Sequence, residues 1–341
     1  MLLFVYDLRN YNILLHCCSF EIWQLFFIYP FKIDDSVLNY VEQSLEERRP
    51  VEKAVHESMR SIYLQYLIVG GMPEAVNQFL ETHDINAVQD VQRRILSSIR
   101  DDFGRYKDVK GNDKVNEVLK IRAEAALDSL PSQLAKDYKK FQYSLVNAKG
   151  HSPEKAEGLQ YILDVGIAIR AFNLRAIETP LESMKIPTEC KVFYADTGLL
   201  ISQLDEGTAA GVLNGDIGAY KGAIAENMVA AALASNDYSL YYLHNATGSP
   251  ELDFIYSDNG VSTIIECKST NNRMTSMKYV IANPKKYGVH PAVKYADTNV
   301  GKGNGFITLP LYAIGFIKKE KIPLIVPEIE IPLPADSWIT R

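Results

Sequence analysis

The sequence predicts a chain of mixed α/β and α+β class, and three patterns predict it. Residues 35–100 carry apolar side chains at helical spacing, residues 114–196 read as helices followed by two strand-like runs, and residues 217–317 alternate one helix with several β-rich runs. The 341 residues are enough for two or three domains, and a hydrophobic content of 47% supplies a sizeable core.

The first thirty residues are rich in Leu, Phe, Tyr and Ile, but Asp7, Arg9, Glu21 and Gln24 interrupt them. No run reaches the roughly 18 apolar residues of a spanning helix, and the basic start and cleavage site of a signal peptide are missing. Residues 1–45 are expected to be a packing segment or the remnant of a lost N-terminal domain.

Residues 46–112 form a helical linker. Leu38, Val41 and Leu45 lead into it, and Ile62, Tyr63, Tyr66 and Leu67 recur at helical spacing before the break at Gly70-Gly71-Met72-Pro73. That break lacks a following lysine, so a tight turn between helices explains it better than a phosphate loop. Pro73 opens the next helix, and another covers 87–100.

Residues 113–205 suit a winged-helix-like module. Val115, Val118, Leu119 and Ala126 mark one helix, Ser129-Leu130-Pro131 breaks it and opens a short second, and Ser152-Pro153 caps a third. Residues 167–174 and 190–196 supply the wing. Asp196 caps or turns the chain after it; a lone Asp-Thr-Gly without a second copy is no aspartic-protease dyad.

Residues 206–317 hold a helix near 219–234 and strand candidates at 239–244, 251–257, 261–268, 291–295 and 306–317. The tail, 318–341, carries Pro323, Pro327, Pro332 and Pro334 and is expected to be extended.

Chemistry is limited by composition. The net charge of -6 gives no whole-chain attraction to nucleic acid, so contact needs a local basic patch. Lys136, Lys139, Lys140, Lys149 and Lys155, against Asp137 and Glu154, are either such a patch or a solvated face. Cys17, Cys18, Cys190 and Cys267 show no C-x-x-C spacing, which fits a reducing cytoplasmic location. The six histidines include no i, i+4 pair, so a zinc hydrolase is not indicated.

The densest chemistry lies between Glu251 and Lys268. Asn259-Gly260 is a favoured two-residue hairpin turn. A regular hairpin closed there sets Asp253 opposite Glu266 and Glu251 opposite Lys268, with Leu252, Phe254, Ile265 and Cys267 on the other, apolar face. Two carboxylates that close repel unless a cation lies between them, and a hard divalent ion answers this. A surface cluster with a Glu251–Lys268 ion pair is the competing account. Glu226 falls at the edge of the apolar stripe of its helix and can reach inward to a site or outward to water.

These residues, Glu251-Leu252-Asp253 with Glu266-Cys267-Lys268, resemble the D…(D/E)-x-K core of the PD-(D/E)XK nuclease superfamily, and Glu226 resembles the helical glutamate of many members. Residues 66–76, 130–135, 140–141 and 191–200 carry further motifs. Together they resemble the prokaryotic AAA-type ATPases with the domain of unknown function 4143, over roughly 55–317.

The resemblance implies a restriction-endonuclease-like C-terminal domain, a mixed sheet flanked by helices. It implies Asp253, Glu266 and Lys268 as catalytic core with Glu226 auxiliary, and Asp253 and Glu266 as ligands of Mg2+ or Mn2+. Relatives add a P-loop ATPase domain; G-x-x-x-x-G-K-[ST] is absent here, so no ATP site is expected. Nucleic acid, DNA favoured, bound through Lys136, Lys139 and Lys140, is the expected partner, with an ATPase-bearing chain as another and no membrane. Either a Mg2+-dependent nuclease or an inactive nuclease-fold module that binds DNA or protein satisfies these features.

Overall fold

The computed structural model describes residues 33–107, 111–136, 139–147, 149, 151–215, 220–244, 250–268 and 275–319. The expectations for the N-terminal segment before Ile33 and for the tail beyond Lys319 lie outside them.

Four helices come first: α1 (Asp35–Glu46), α2 (Lys53–Val69), α3 (Pro73–Thr82) and α4 (Ile85–Asp102). Asp34, Glu52 and Asp84 cap α1, α2 and α4, their carboxylates accepting otherwise unpaired first-turn amides. Gly70 ends α2 at φ +68°, the tight turn expected of Gly70-Gly71. A small antiparallel pair, β1 (Arg105–Lys107) and β2 (Asp113–Val115), precedes α5 (Glu117–Leu134) and α6 (Ser152–Asp164).

Pro131 does not break α5. A proline there withholds the amide that would serve the Leu127 carbonyl one turn back. The Tyr194 hydroxyl donates to that carbonyl instead, at 3.1 Å. The two helices expected around Pro131 are therefore one. The α6 cap also moves one residue, to His151, with Glu154 completing a capping box.

The C-terminal part is built on an eight-stranded mixed sheet. Its strands are β3 (Ala168–Leu174), β4 (Lys185–Tyr194), β5 (Leu240–Leu243), β6 (Leu252–Asp258), β7 (Val261–Lys268), β8 (Ala292–Ala296), β9 (Gly301–Lys302) and β10 (Ile307–Pro310), in the order β4-β3-β5-β6-β7-β8-β10-β9. The β3–β5, β7–β8 and β8–β10 neighbours are parallel and the rest antiparallel. The two strands read as a wing thus belong to the same sheet as the C-terminal strands. The run expected as strand over 306–317 stops at Pro310 and continues as a 3-10 helix, Leu311–Phe316.

Short helices α7 (Leu181–Met184), α8 (Thr197–Ile201) and α9 (Thr208–Asn214) connect elements, followed by α10 (Lys221–Ser235), α11 (Thr275–Ala282) and α12 (Pro284–Tyr287). One apolar core joins the N-terminal helices, α10 and the sheet face bearing Phe193, Phe254, Ile265 and Cys267. A second lies on the other face, where Leu252, Ile255 and Ile264 meet Met277 and Val280 of α11. Helix α10 is apolar all round because it is buried all round, as such a helix must be.

Candidate functional site

The hairpin register is the expected one. Asn259 and Gly260 both have positive φ, as a type I′ turn requires, and the ladder runs from Asp258–Val261 to Phe254–Ile265. Beyond that point the two strands depart from regularity. Against β5, Tyr241 pairs with Ile255 but Leu243 pairs with Leu252, so Asp253 and Phe254 together face Tyr242. This is a β-bulge. It turns Leu252 to the face of Ile255 and Ile264, not the face of Phe254 as the regular hairpin required.

The bulge aims Asp253 at the end of β7. Its Oδ2 accepts the Cys267 amide at 2.8 Å, a position that backbone would take in an unbroken ladder. Glu266 lies between Ile265 and Cys267, so alternation sends its side chain off the sheet on the Ile264 side. Glu226, in the second turn of α10, lies over the Cys267 side, and its charge and that of Asp253 both act on the Cys267 thiol. The acids therefore meet around the end of a strand, with Asp253 at the rim between Glu226 and Glu266, rather than side by side on one flat face.

All of them are buried: Glu226 and Asp253 are 7% exposed and Glu266 is 4%. Glu226, left open between core and water by its periodicity, points inward. Burial, then the neighbouring Asp253 charge, pushes the Glu226 and Glu266 carboxyls upward, Glu266 to about 7. One oxygen of each, Glu226 Oε2 and Glu266 Oε2, has no hydrogen-bond partner.

Ammonium groups fill the spaces between. Lys268 Nζ is 2.7 Å from Glu266 Oε1, not paired with Glu251 across the hairpin. Lys139 Nζ is 2.5 Å from Glu226 Oε1. Lys191, 1% exposed, lies beneath the site with Nζ 3.2 Å from Glu251 Oε1 and 4.8 Å from the Tyr242 ring centroid. Burial alone would depress the Lys191 and Lys268 ammoniums; the surrounding carboxylates outweigh it and hold both above the ordinary lysine value. His244 Nδ1 approaches Glu251 Oε2 at 3.5 Å. Lys294 stands in register with Glu266 on β8.

The lysines singled out for nucleic acid divide. Lys136 is half-buried and donates to Gln142. Lys139 is in the site, and Lys140 is 2.6 Å from Glu189 beside it. Asn173 links Glu189 to the backbone of His244. Glu189 carries no local mark as a site residue; the signal available for Lys191 is a lysine inside a strand, directly before the apolar run Val192-Phe193-Tyr194.

Among the described residues, no group of three or more His, Cys, Asp or Glu side chains converges tightly enough to hold a metal as the side chains stand. An open depression of about 420 Å³ lies away from these acids, lined by Arg170, Phe172, Glu182, Lys185 and Tyr241 among others. Its charges are largely paired internally, Lys185 and the Tyr241 hydroxyl both serving Glu182. No helix among the described residues is long and apolar enough to cross a membrane.

Comparison with known families places these elements. Residues 221–314 match the family described as Domain of unknown function (DUF4143), which bears out that part of the resemblance. Residues 60–209 match a second, Domain of unknown function (DUF8612). The searches of curated proteins and of solved structures found no match. The acidic cluster straddles the two matched regions: Lys139, Glu189 and Lys191 come from the first, Glu226, Asp253, Glu266 and Lys268 from the second.

Proposed function

We propose that this chain is a Mg2+- or Mn2+-dependent phosphodiesterase of PD-(D/E)XK type acting on nucleic acid, DNA favoured. On this reading the sheet is restriction-endonuclease-like. The observation that carries the proposal is the pair of buried carboxylate oxygens, Glu226 Oε2 and Glu266 Oε2, without partners on either side of Asp253. Native interiors rarely leave such atoms unserved, and an ion is one thing that serves them.

Asp253 and Glu266 would hold the ion, with Glu226 in support. Bound there, a divalent ion supplies charge to a phosphate and helps ionise a water. Lys268, kept charged by Asp253 and Glu266, is placed to neutralise the charge that develops on phosphorus-bound oxygen.

Supercoiled plasmid incubated with Mg2+ tests the proposal. Wild-type protein should nick it, and Lys268→Ala should do so about a hundredfold more slowly, the scale of losing one group that stabilises transition-state charge. A second reading draws on the same ion pairs, which already satisfy much of each acid: a nuclease-fold module that binds nucleic acid without cutting it. Equal absence of nicking in both proteins, with DNA binding indifferent to Asp253→Ala, would leave that reading alone.

A further inference from the structure

We propose that Lys139 is a tethered stand-in cation, its ammonium holding the place beside Glu226 that a divalent ion takes, so that loading the ion expels the lysine side chain. The inference rests on the metal-dependent reading above and adds to it a competitor supplied by the chain itself.

The Lys139–Glu226 pair is not a surface contact. Its side chains are 11% and 10% exposed, its atoms 2.5 Å apart, and its residues 87 positions apart in sequence. The lysine serves one oxygen of Glu226 and leaves Oε2 without a hydrogen bond. An ammonium donates along three directions and suits one oxygen at a time, whereas a hard divalent ion gathers several. Both cannot sit against Glu226, since two cations in contact repel.

The three lysines of the cluster differ in their freedom to leave. Lys191 is sealed under the Tyr242 ring with Glu251, and Lys268 serves Glu266 on the other side of the strand. Lys139 is less sealed than Lys191, and among the described residues its ammonium pairs with Glu226 alone, while the backbone beside it is fastened independently. The Phe141 amide donates to the Cys190 carbonyl at 2.7 Å, and Lys140 pairs with Glu189. Rotation of one side chain therefore releases Lys139 while 140–141 stay on β4. The expelled ammonium is left at the mouth of the site, where a phosphate of the substrate can take it, so ion and nucleic acid should favour each other's binding.

Calorimetric titration with Mn2+ of wild type, Lys139→Met and Lys139→Arg, at one pH and ionic strength, tests this. Lys139→Met should bind Mn2+ about tenfold tighter, within the usual range of coupling between sites, and Lys139→Arg should bind like wild type. Mn2+ binding by Lys139→Met alone would support the proposal more strongly still. Equal or weaker binding by folded Lys139→Met, while wild type binds, would overturn it and leave the metal reading standing. No binding by either folded protein would remove both. Should Lys139→Met fail to fold, wild type still decides: amine-reactive labelling of the Lys139 side chain, read by peptide mass spectrometry, should speed up once Mn2+ is bound, and unchanged labelling at Mn2+ saturation overturns the proposal.

Discussion

At the scale of the residue, Glu266 has the most to show. Its carboxyl is pushed up to about 7 by burial and then by Asp253, against 4.5 for a free glutamate. The folded state therefore keeps a proton that the unfolded chain gives up between those values. Where the native state binds more protons, stability falls as pH rises. The contribution of Glu266 should be intact below about pH 4.5, decline through pH 7 and level off above it. Thermal melting of wild type and Glu266→Gln from pH 4 to 8 reads this as a difference. Wild type should lose on the order of 2 kcal/mol relative to the variant across the interval, and parallel profiles would refute the assignment. The hairpin ladder from Asp258–Val261 to Phe254–Ile265 was legible in the sequence because a two-residue turn fixes the register of what flanks it, whereas the aim of Asp253 was not, since the bulge lies beyond that ladder. Lys139 and Lys191 were not, since periodicity carries no trace of contacts made across the fold.

At the scale of the element, two of the sequence motifs turn out to be one joint. Asp196, wholly buried, caps α8 through the Leu199 amide at 2.9 Å and also accepts the Gly71 amide at 2.7 Å. A Cβ on Gly70 would lie 2.3 Å from Asp196 Oδ1. Gly198 fits against the end of α2, where Gln92 donates to the Ile68 and Val69 carbonyls. A Cβ there would meet those oxygens at 2.8 and 2.9 Å and the Gln92 amide nitrogen at 2.4 Å, and backbone cannot yield cheaply. Gly198→Ala should cost about 2–3 kcal/mol, visible as a lower urea midpoint; an unchanged midpoint would mean the joint is loose.

The turn at Gly70 and the capping role of Asp196 were both readable from local chemistry. Their union was not, because each looks complete alone. Likewise Pro131 reads as a helix break because the sequence does not show the Tyr194 hydroxyl that supplies the missing donor, and Leu252 reads onto the wrong face because it does not show the bulge opposite Tyr242.

At the scale of the whole molecule, the helical layer and the sheet are held by polar joints as well as by a shared apolar core. Arg60 of α2 grips Asp297 through both carboxylate oxygens at 2.6 and 2.8 Å, and Lys221 of α10 adds a third contact at 3.2 Å. Burial would raise the Asp297 carboxyl, but Arg60 and Lys221 outweigh it and hold it below its ordinary value. Asn299 fastens the Val51 amide and carbonyl, and His56 meets the Tyr312 hydroxyl. Asp297→Ala strands two cations and should cost about 2 kcal/mol, less than a fully buried pair because these groups retain some water. In calorimetry the loss should lower the melting of helices and sheet together; a separate early melting of the helices alone would show that the layers are not joined as described. The mixed class and the positions of most strands along the chain were foreseeable from alternating patterns. The merging of the wing strands into the larger sheet was not, since a parallel neighbour leaves no local mark.

The parallel seam between β3 and β5 carries a practical corollary. It is where the region matching the first family zips, strand to strand, onto the region matching the second. Severing the chain between 209 and 221 would strip each fragment of a flank, bare a row of unpaired amides and carbonyls, and invite self-association. It would also split the lysines from the acids they accompany. Neither half is a miniature of the whole, because the two regions share one sheet.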